Sequence, residues 1–359
     1  MILFVSVLLY ILLRAGVECA YSDALGRQIV NLAAGAYGNA NQQVSCIRKF
    51  AEKRYNNLNA ARFLNRHPVD DCDGYGHHCS MYAVEVPRSR RLNISVPLLI
   101  FVFEGTTNFT QLLVEAWEAL KAMQNLIVGS YAYGKVNRYF KKVFDKLWPF
   151  VQYYIQNYPG HHLWFLGHSL GGTAAALAAF FTRVLGLRTA DQIEVITLGE
   201  PRVGNPHFAF YYDQFVPHSS RVVNGLDLVP HLYPCVKDHE IVSAINAAPG
   251  CDQHDENGYY HHGREKWYNR GTDRTGFRDC GGEPKNEDIS CSNSHDFGLG
   301  FGLLFRPGSH FATHRTYFGH WLWYYGVAGC DSAREQILIQ GHDVDEALDE
   351  HLAYGTLPS

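Results

Sequence analysis

Apolar and polar positions alternate in distinct styles along this chain. Leu163-Trp164-Phe165-Leu166 is a short unbroken apolar run, which predicts a buried strand, and the Ala/Leu-rich residues 173–179 predict a helix after it. Met81–Val86, Pro97–Phe103, Ile193–Leu198 and Arg221–Asn224 also read as strands. Helical spacing covers 25–37, 47–64 and 135–157, the last with Lys141, Lys142 and Lys146 on its solvent side. In 109–120, Phe109, Leu112, Leu113, Ala116, Trp117 and Leu120 form an apolar stripe opposite Gln111, Glu115 and Glu118. Arg88–Arg91 reads as a charged turn. Strands alternating with helices predict an α/β fold, with a largely parallel or mixed sheet covered on both faces. Beyond residue 235 periodicity fades, so 235–330 reads as a loop-rich part of the same domain, with a glycine-aromatic segment at 297–311 and a polar tail at 331–359.

Length and composition narrow this picture. The chain has 359 residues, 47% hydrophobic and 18% charged, enough to bury a large core. Its net charge of −4 is mild and no basic patch stands out, which argues against a nucleic-acid partner. Met1–Leu13 is almost wholly apolar and is followed by Arg14, then Val17-Glu18-Cys19-Ala20. This reads as a signal peptide over 1–20, although it lacks the usual early Lys or Arg. The run is short for a membrane span, and no later stretch predicts one. Removing Cys19 leaves Cys46, Cys72, Cys79, Cys235, Cys251, Cys280, Cys291 and Cys330, an even set that predicts disulfides in a secreted chain. His77 and His78 lie between Cys72 and Cys79, but the spacing suits a disulfide better than a metal site. Asn93-Ile94-Ser95 and Asn108-Phe109-Thr110 are glycosylation sequons at Asn93 and Asn108.

The chemistry concentrates between the predicted strand and helix, at Gly167-His168-Ser169-Leu170-Gly171-Gly172. Gly-x-Ser-x-Gly between a strand and a helix is the pattern of a nucleophile elbow. A serine hydroxyl needs a neighbouring base, usually a histidine oriented by a carboxylate. In elbow enzymes the order along the chain is serine, acid, histidine. Asp227 lies just past a predicted strand, though Gly225-Leu226-Asp227 reads equally well as a turn. His261, His262, His295, His310, His314 and His320 all follow it, and spacing alone leaves the base open.

The chain resembles the class 3 lipases, the fungal lipase-like family of α/β-hydrolases. The matching stretches are Phe101–Thr106, the elbow, Thr197-Leu198-Gly199-Glu200-Pro201-Arg202-Val203-Gly204-Asn205-Pro206, Val222–Leu232, His262–Trp267, Cys291–Ser294, His314-Arg315-Thr316-Tyr317-Phe318-Gly319 and Gly329-Cys330. They run in family order across roughly 30–330. The resemblance implies one α/β-hydrolase domain over 21–330. It implies a triad of Ser169, Asp227 and His314, because the family's catalytic histidine precedes an x-x-Tyr-Phe-Gly run. It implies an oxyanion hole from Thr106 and the Leu170 N–H, and a lid carrying Phe109, Leu113 and Trp117. By the same analogy Cys46 pairs with Cys330 and Cys280 with Cys291; proximity joins Cys72 to Cys79, and Cys235–Cys251 remains. The chain departs from the family at Glu104, where Arg is common, and at Glu200, where Gln is common. The resulting expectation is a secreted serine lipase acting on acylglycerols at a water–lipid interface, needing no cofactor or metal. A phospholipase A1 or short-chain esterase on the same scaffold, or an inactive secreted lipid-binding protein, are the competing readings.

Overall fold

The computed structural model describes residues 21–72, 76–106, 122–242, 249–295 and 312–341. The expected leader over 1–20, the 109–120 stripe with Phe109, Leu113 and Trp117, the Asn108 sequon, the 297–311 segment and residues 342–359 lie outside them.

Two helices open the described chain, α1 (Asp23–Gly35) and α2 (Ala40–Tyr55). Ser22 caps α1 through the Leu25 N–H, and Asn39 with Gln42 forms a reciprocal cap on α2. The expected helix over 47–64 stops at Tyr55. Asn56 closes it in the left-handed conformation, at φ 51°. Residues Arg62–Val69 then form an edge strand, β1, paired antiparallel with β2 (Cys79–Val86). The strand β3 (Leu98–Phe103) follows across an exposed connection that carries Asn93.

A hairpin comes next, β4 (Met123–Val128) and β5 (Tyr131–Asn137), turned through Gly129 at φ 62°. This hairpin takes residues 131–137, so the helix expected over 135–157 begins later, as α3 (Arg138–Asn157). Its first N–H groups are capped by the Asn137 side chain. The elbow strand and helix are β6 (His162–His168) and α4 (Leu170–Val184). Then come β7 (Ile193–Leu198), α5 (Pro206–Phe215) and β8 (Ser219–Asn224). Downstream lie a small ribbon, β9 (Lys237–Val242) with β10 (Pro249–Cys251), and then β11 (Arg264–Tyr268) and β12 (Arg278–Cys280). The short β13 (Thr316–Tyr317), β14 (His320–Trp321) and α6 (Leu322–Val327) complete the order.

The central sheet has the order β1-β2-β3-β6-β7-β8-β11-β12. Its middle five strands are parallel and its margins antiparallel, which is the mixed α/β-hydrolase arrangement. Strand alternation divides the core in two. Leu99, Phe101, Phe103, Leu163 and Phe165 face α3 and α4, while Ile100, Val102, Trp164 and Leu166 face α1 and α2. The region read as loop-rich therefore contributes two sheet strands. Charge hid β11 from the apolar pattern: Glu265 and Lys266 are buried, with Lys266 Nζ 2.7 Å from Asp279. Four disulfides are present: Cys46–Cys330, Cys72–Cys79, Cys235–Cys251 and Cys280–Cys291. The first ties α2 to the chain after α6. Residues 332–341, at the start of the stretch read as a polar tail, are helical and dock through Glu335 onto His320 and the Trp321 N–H. Among the described residues no helix is long and apolar enough to cross a membrane.

Candidate active site

The parallel strands end at one rim of the sheet, and there β6 turns into α4 at Ser169. The turn is tight enough that a Cβ on Gly167 would stand 2.2 Å from the Gly171 carbonyl, so only glycine fits. Ser169 has a positive φ of 56° with ψ −129°, which costs energy for a residue with a side chain and is held by its surroundings. Its N–H donates to the Leu198 carbonyl on β7 at 2.9 Å. Its Oγ is buried and makes no hydrogen bond with the described residues. Leu170 opens α4, so its N–H is among the helix's unpaired donors and lies at the positive end of the helix dipole. Gly105 packs against this turn, its position for a Cβ 3.3 Å from the Ser169 Cβ and 2.6 Å from the His168 carbonyl. Thr106 is thereby brought to the same rim.

Asp227 follows β8 and is fully buried. His314 Nδ1 meets its two carboxylate oxygens at 2.9 and 3.0 Å. The same carboxylate accepts from the Tyr317 hydroxyl at 2.7 Å and the Val229 N–H at 2.9 Å. These donors fix the orientation of the carboxylate. The loop bearing His314 is held in turn by the Asn224 amide, which donates to the Thr313 and Thr316 carbonyls.

The other candidate histidines within the described residues have other partners. His261 Nε2 donates to the Pro230 carbonyl at 2.7 Å, and His262 Nε2 lies 3.4 Å from Glu200. His295 packs edge-on to Trp267, His320 bonds Glu335 at 2.8 Å, and His310 is outside the described residues. Glu200 also accepts from Thr197 at 2.7 Å. Glu104 is buried, accepting from Ser80 with Arg66 at 3.5 Å. Both departures from the family are thus internally paired groups.

Three participants escaped the sequence. His168, between the elbow glycine and serine, stacks on His314 with ring centroids 4.6 Å apart. Its Nε2 is 2.9 Å from the His314 backbone carbonyl, which can only accept, so Nε2 carries the proton and Nδ1 accepts from Tyr37 at 2.6 Å. Burial, reinforced by nearby His314, pushes this imidazole down to about 3, so it is neutral at pH 7. Tyr317 lies inside a recognised stretch, but no local pattern marks its bond to Asp227. Gly199 is the third: a Cβ there would stand 2.8 Å from Asp227 and 2.9 Å from His314. Its role was legible only as part of the Thr197–Pro206 run.

The set holds the parts that acyl transfer needs: a serine of positive φ at a helix N-terminus and, next to Gly199 at the same rim, an imidazole whose Nδ1 is held by a buried carboxylate. Among the described residues the one cluster of metal-type donors is Glu265 with Cys280 and Cys291. Both sulfurs are joined to each other there, so the cluster does not suit a metal.

Comparison with known proteins points the same way. The family described as Lipase (class 3) matches residues 100–237. A lipase of Caenorhabditis elegans is 35% identical over 321 residues, covering 88% of this chain and 84% of that protein. A lipase of Rhizopus niveus is 27% identical over 197 residues, 55% of this chain, and the match spans only 44% of that protein. Among solved structures, a triacylglycerol lipase in which a serine protease triad forms the catalytic centre shares the fold. Its TM-score is 0.57 at 21% identity, over 82% of this chain and 94% of that one. With a match of this identity and extent to the nematode protein, the chain belongs to the class 3 lipase family, α/β-fold hydrolases of carboxylic esters.

Proposed function

We propose that this protein is a secreted lipase that hydrolyses acylglycerol esters through Ser169, Asp227 and His314. His314 Nε2 takes the Ser169 proton as Oγ attacks the ester carbonyl. The Leu170 N–H, with Thr106, receives the developing oxyanion. His314 then protonates the leaving alcohol, and water, deprotonated by His314, releases the acid from the acyl-enzyme. Asp227 keeps the imidazole in the tautomer this requires. The bond of 2.9 Å between His314 Nδ1 and a buried, multiply hydrogen-bonded Asp227 is the observation that carries the reading. The Ser169 Oγ makes no hydrogen bond with the described residues, as is common before substrate tightens a site.

The likeness to a triacylglycerol lipase supports acylglycerols as the substrate class. Four disulfides and the exposed Asn93 sequon support a secreted protein with leader 1–20, catalytic domain 21–330 and a tail from 331. The residues after Thr106 act as a lid, with Phe109, Leu113 and Trp117 facing lipid when it opens. The test is hydrolysis of mono-, di- and triacylglycerols, phospholipids and short p-nitrophenyl esters by wild-type protein and Ser169→Ala. Acylglycerol turnover lost in the variant is expected; turnover confined to phospholipids would overturn the substrate assignment.

A further inference from the structure

The connection between β2 and β3, residues 87–97, has a feature that ester hydrolysis does not use. It reads Pro87-Arg88-Ser89-Arg90-Arg91-Leu92-Asn93-Ile94-Ser95-Val96-Pro97. Arg88, Arg90 and Arg91 are exposed, and none forms an ion pair with the described residues. Three like charges within four residues repel one another and are offset by no carboxylate among the described residues, so nothing described there makes them serve the stability of the fold. They sit on a turn at a loop tip, where chains are most open to proteolysis. A short set of bonds closes it: Ser89 and Ile94 exchange backbone hydrogen bonds at 3.0 and 2.8 Å, the Asn93 N–H reaches the Arg90 carbonyl at 3.2 Å, and the Leu92 N–H donates to the Ser89 hydroxyl at 3.3 Å.

We propose that Arg88-Ser89-Arg90-Arg91 is a processing site, cut at the Arg91–Leu92 bond by a serine protease that recognises paired arginines, and that the two pieces remain joined through Cys46–Cys330. The spacing places guanidinium groups at the first, second and fourth residues before the cut. Carboxylate-lined pockets on such a protease bind them as charge-assisted, bidentate pairs. Hydrolysis breaks the C–N bond between Arg91 and Leu92; water supplies the oxygen of the new Arg91 carboxylate and a hydrogen of the new Leu92 amine.

Position in the fold separates this from docking on an anionic surface. Val86 pairs with Leu98 and Met81 with Phe103, so the connection lies at the end of the sheet opposite Ser169. The six residues of β3 place it about 20 Å from the rim, at roughly 3.3 Å per residue. Lipid held at that turn would hold the catalytic rim away from its substrate. A cut there leaves the triad untouched. Cys72–Cys79 stays within the first piece, while Cys235–Cys251 and Cys280–Cys291 stay within the second. Cys46–Cys330 is the one disulfide that crosses, and the β2–β3 ladder crosses beside it. Asn93 stands two residues beyond the cut, so a glycan on its sequon crowds the protease and makes the two modifications compete.

The proposal rests on the secreted route given above, but its test needs no esterase activity. Purified protein, with and without enzymatic removal of Asn-linked glycans, is incubated with a calcium-dependent subtilisin-type protease specific for paired arginines. A new N-terminus at Leu92 is expected, as one band without reductant and two with it, cut faster in the deglycosylated sample. Arg88→Ala with Arg91→Ala resists. Absence of the Leu92 terminus in both samples, or equal cutting of the double variant at that bond, overturns the proposal. Uncut wild-type protein retained on phosphatidylserine vesicles, with the double variant released, overturns it in favour of surface docking.

Discussion

Eleven histidines follow Asp227 along the chain, and His314 distinguishes itself by a contact no local pattern encodes. His314 and Asp227 stand 87 residues apart and meet at 2.9 Å. The serine was legible because its requirement is local, with glycines on either side of a strand-to-helix turn. The base was not, and only the resemblance through His314-Arg315-Thr316-Tyr317-Phe318-Gly319 singled it out. His314→Ala is therefore expected to lose several orders of magnitude in kcat, about as much as Ser169→Ala and without further loss in the double variant, since triad members act as a unit. His262→Ala and His320→Ala, which remove contacts to Glu200 and Glu335, keep the chemistry; a loss in His320→Ala as deep as in Ser169→Ala, with His314→Ala active, contradicts the assignment. His168 gives a second test. Folded, it takes a proton only near pH 3; unfolded, near 6.5. Between these values the unfolded chain holds the extra proton, so this group costs about 1.4 kcal/mol of stability per pH unit as pH falls below about 6.5. Buried His231 and His261, whose proton affinities are also lowered by burial, add in the same direction. Denaturant unfolding of His168→Gln from pH 7 to 4 should show a shallower slope by one proton; an unchanged slope refutes the buried neutral imidazole.

Among the elements, apolar strands were the easiest to see and charged or competing segments the hardest. β3 is a continuous apolar run and β6 and β7 are mostly apolar, because strands covered on both faces bury nearly every side chain. β11 was missed because its buried Glu265 and Lys266 disguise it, and β1 because its mixed residues at a sheet edge resemble the helix before it. The hairpin of β4 and β5 took the first turn of an expected helix through long-range contacts: Lys135 N–H donates to Asn205 at 2.9 Å, and Asn137 N–H to the Val203 carbonyl at 2.9 Å. The Cys46–Cys330 bond links elements 284 residues apart, the longest loop of the four. In the chain-entropy account it restrains the unfolded state most, by up to about 5 kcal/mol. Cys46→Ala with Cys330→Ala is expected to lower the unfolding midpoint more than Cys72→Ala with Cys79→Ala, whose bond closes a separation of 7. Equal midpoints for the two double variants would run against this.

At the scale of the whole molecule, the sheet gathers at one rim what the sequence scatters from Thr106 to His314. The order of motifs revealed that architecture; the layered packing and the His168–Tyr37 support behind the base needed coordinates. Proposed activity at an interface belongs to this scale too, because the stripe of Phe109, Leu113 and Trp117 directly follows the rim at Thr106. Burying those side chains in acyl chains gains roughly 25 cal/mol per Å² of apolar area, and shifts the lid only through preference for its open state. Rate against tributyrin concentration should break upward where the substrate exceeds its solubility, and Trp117→Ser should blunt the break while sparing soluble esters. A smooth hyperbola for wild-type protein would remove the lid from the mechanism.

The central claim is that Ser169 is a nucleophile activated by His314. A fluorophosphonate probe reacts with such a serine covalently, and peptide mapping locates the adduct. Labelling of folded wild-type protein at Ser169, abolished in Ser169→Ala and strongly slowed in His314→Ala, is the expected result. No labelling of the wild type, or equal labelling of Ser169→Ala, would contradict it.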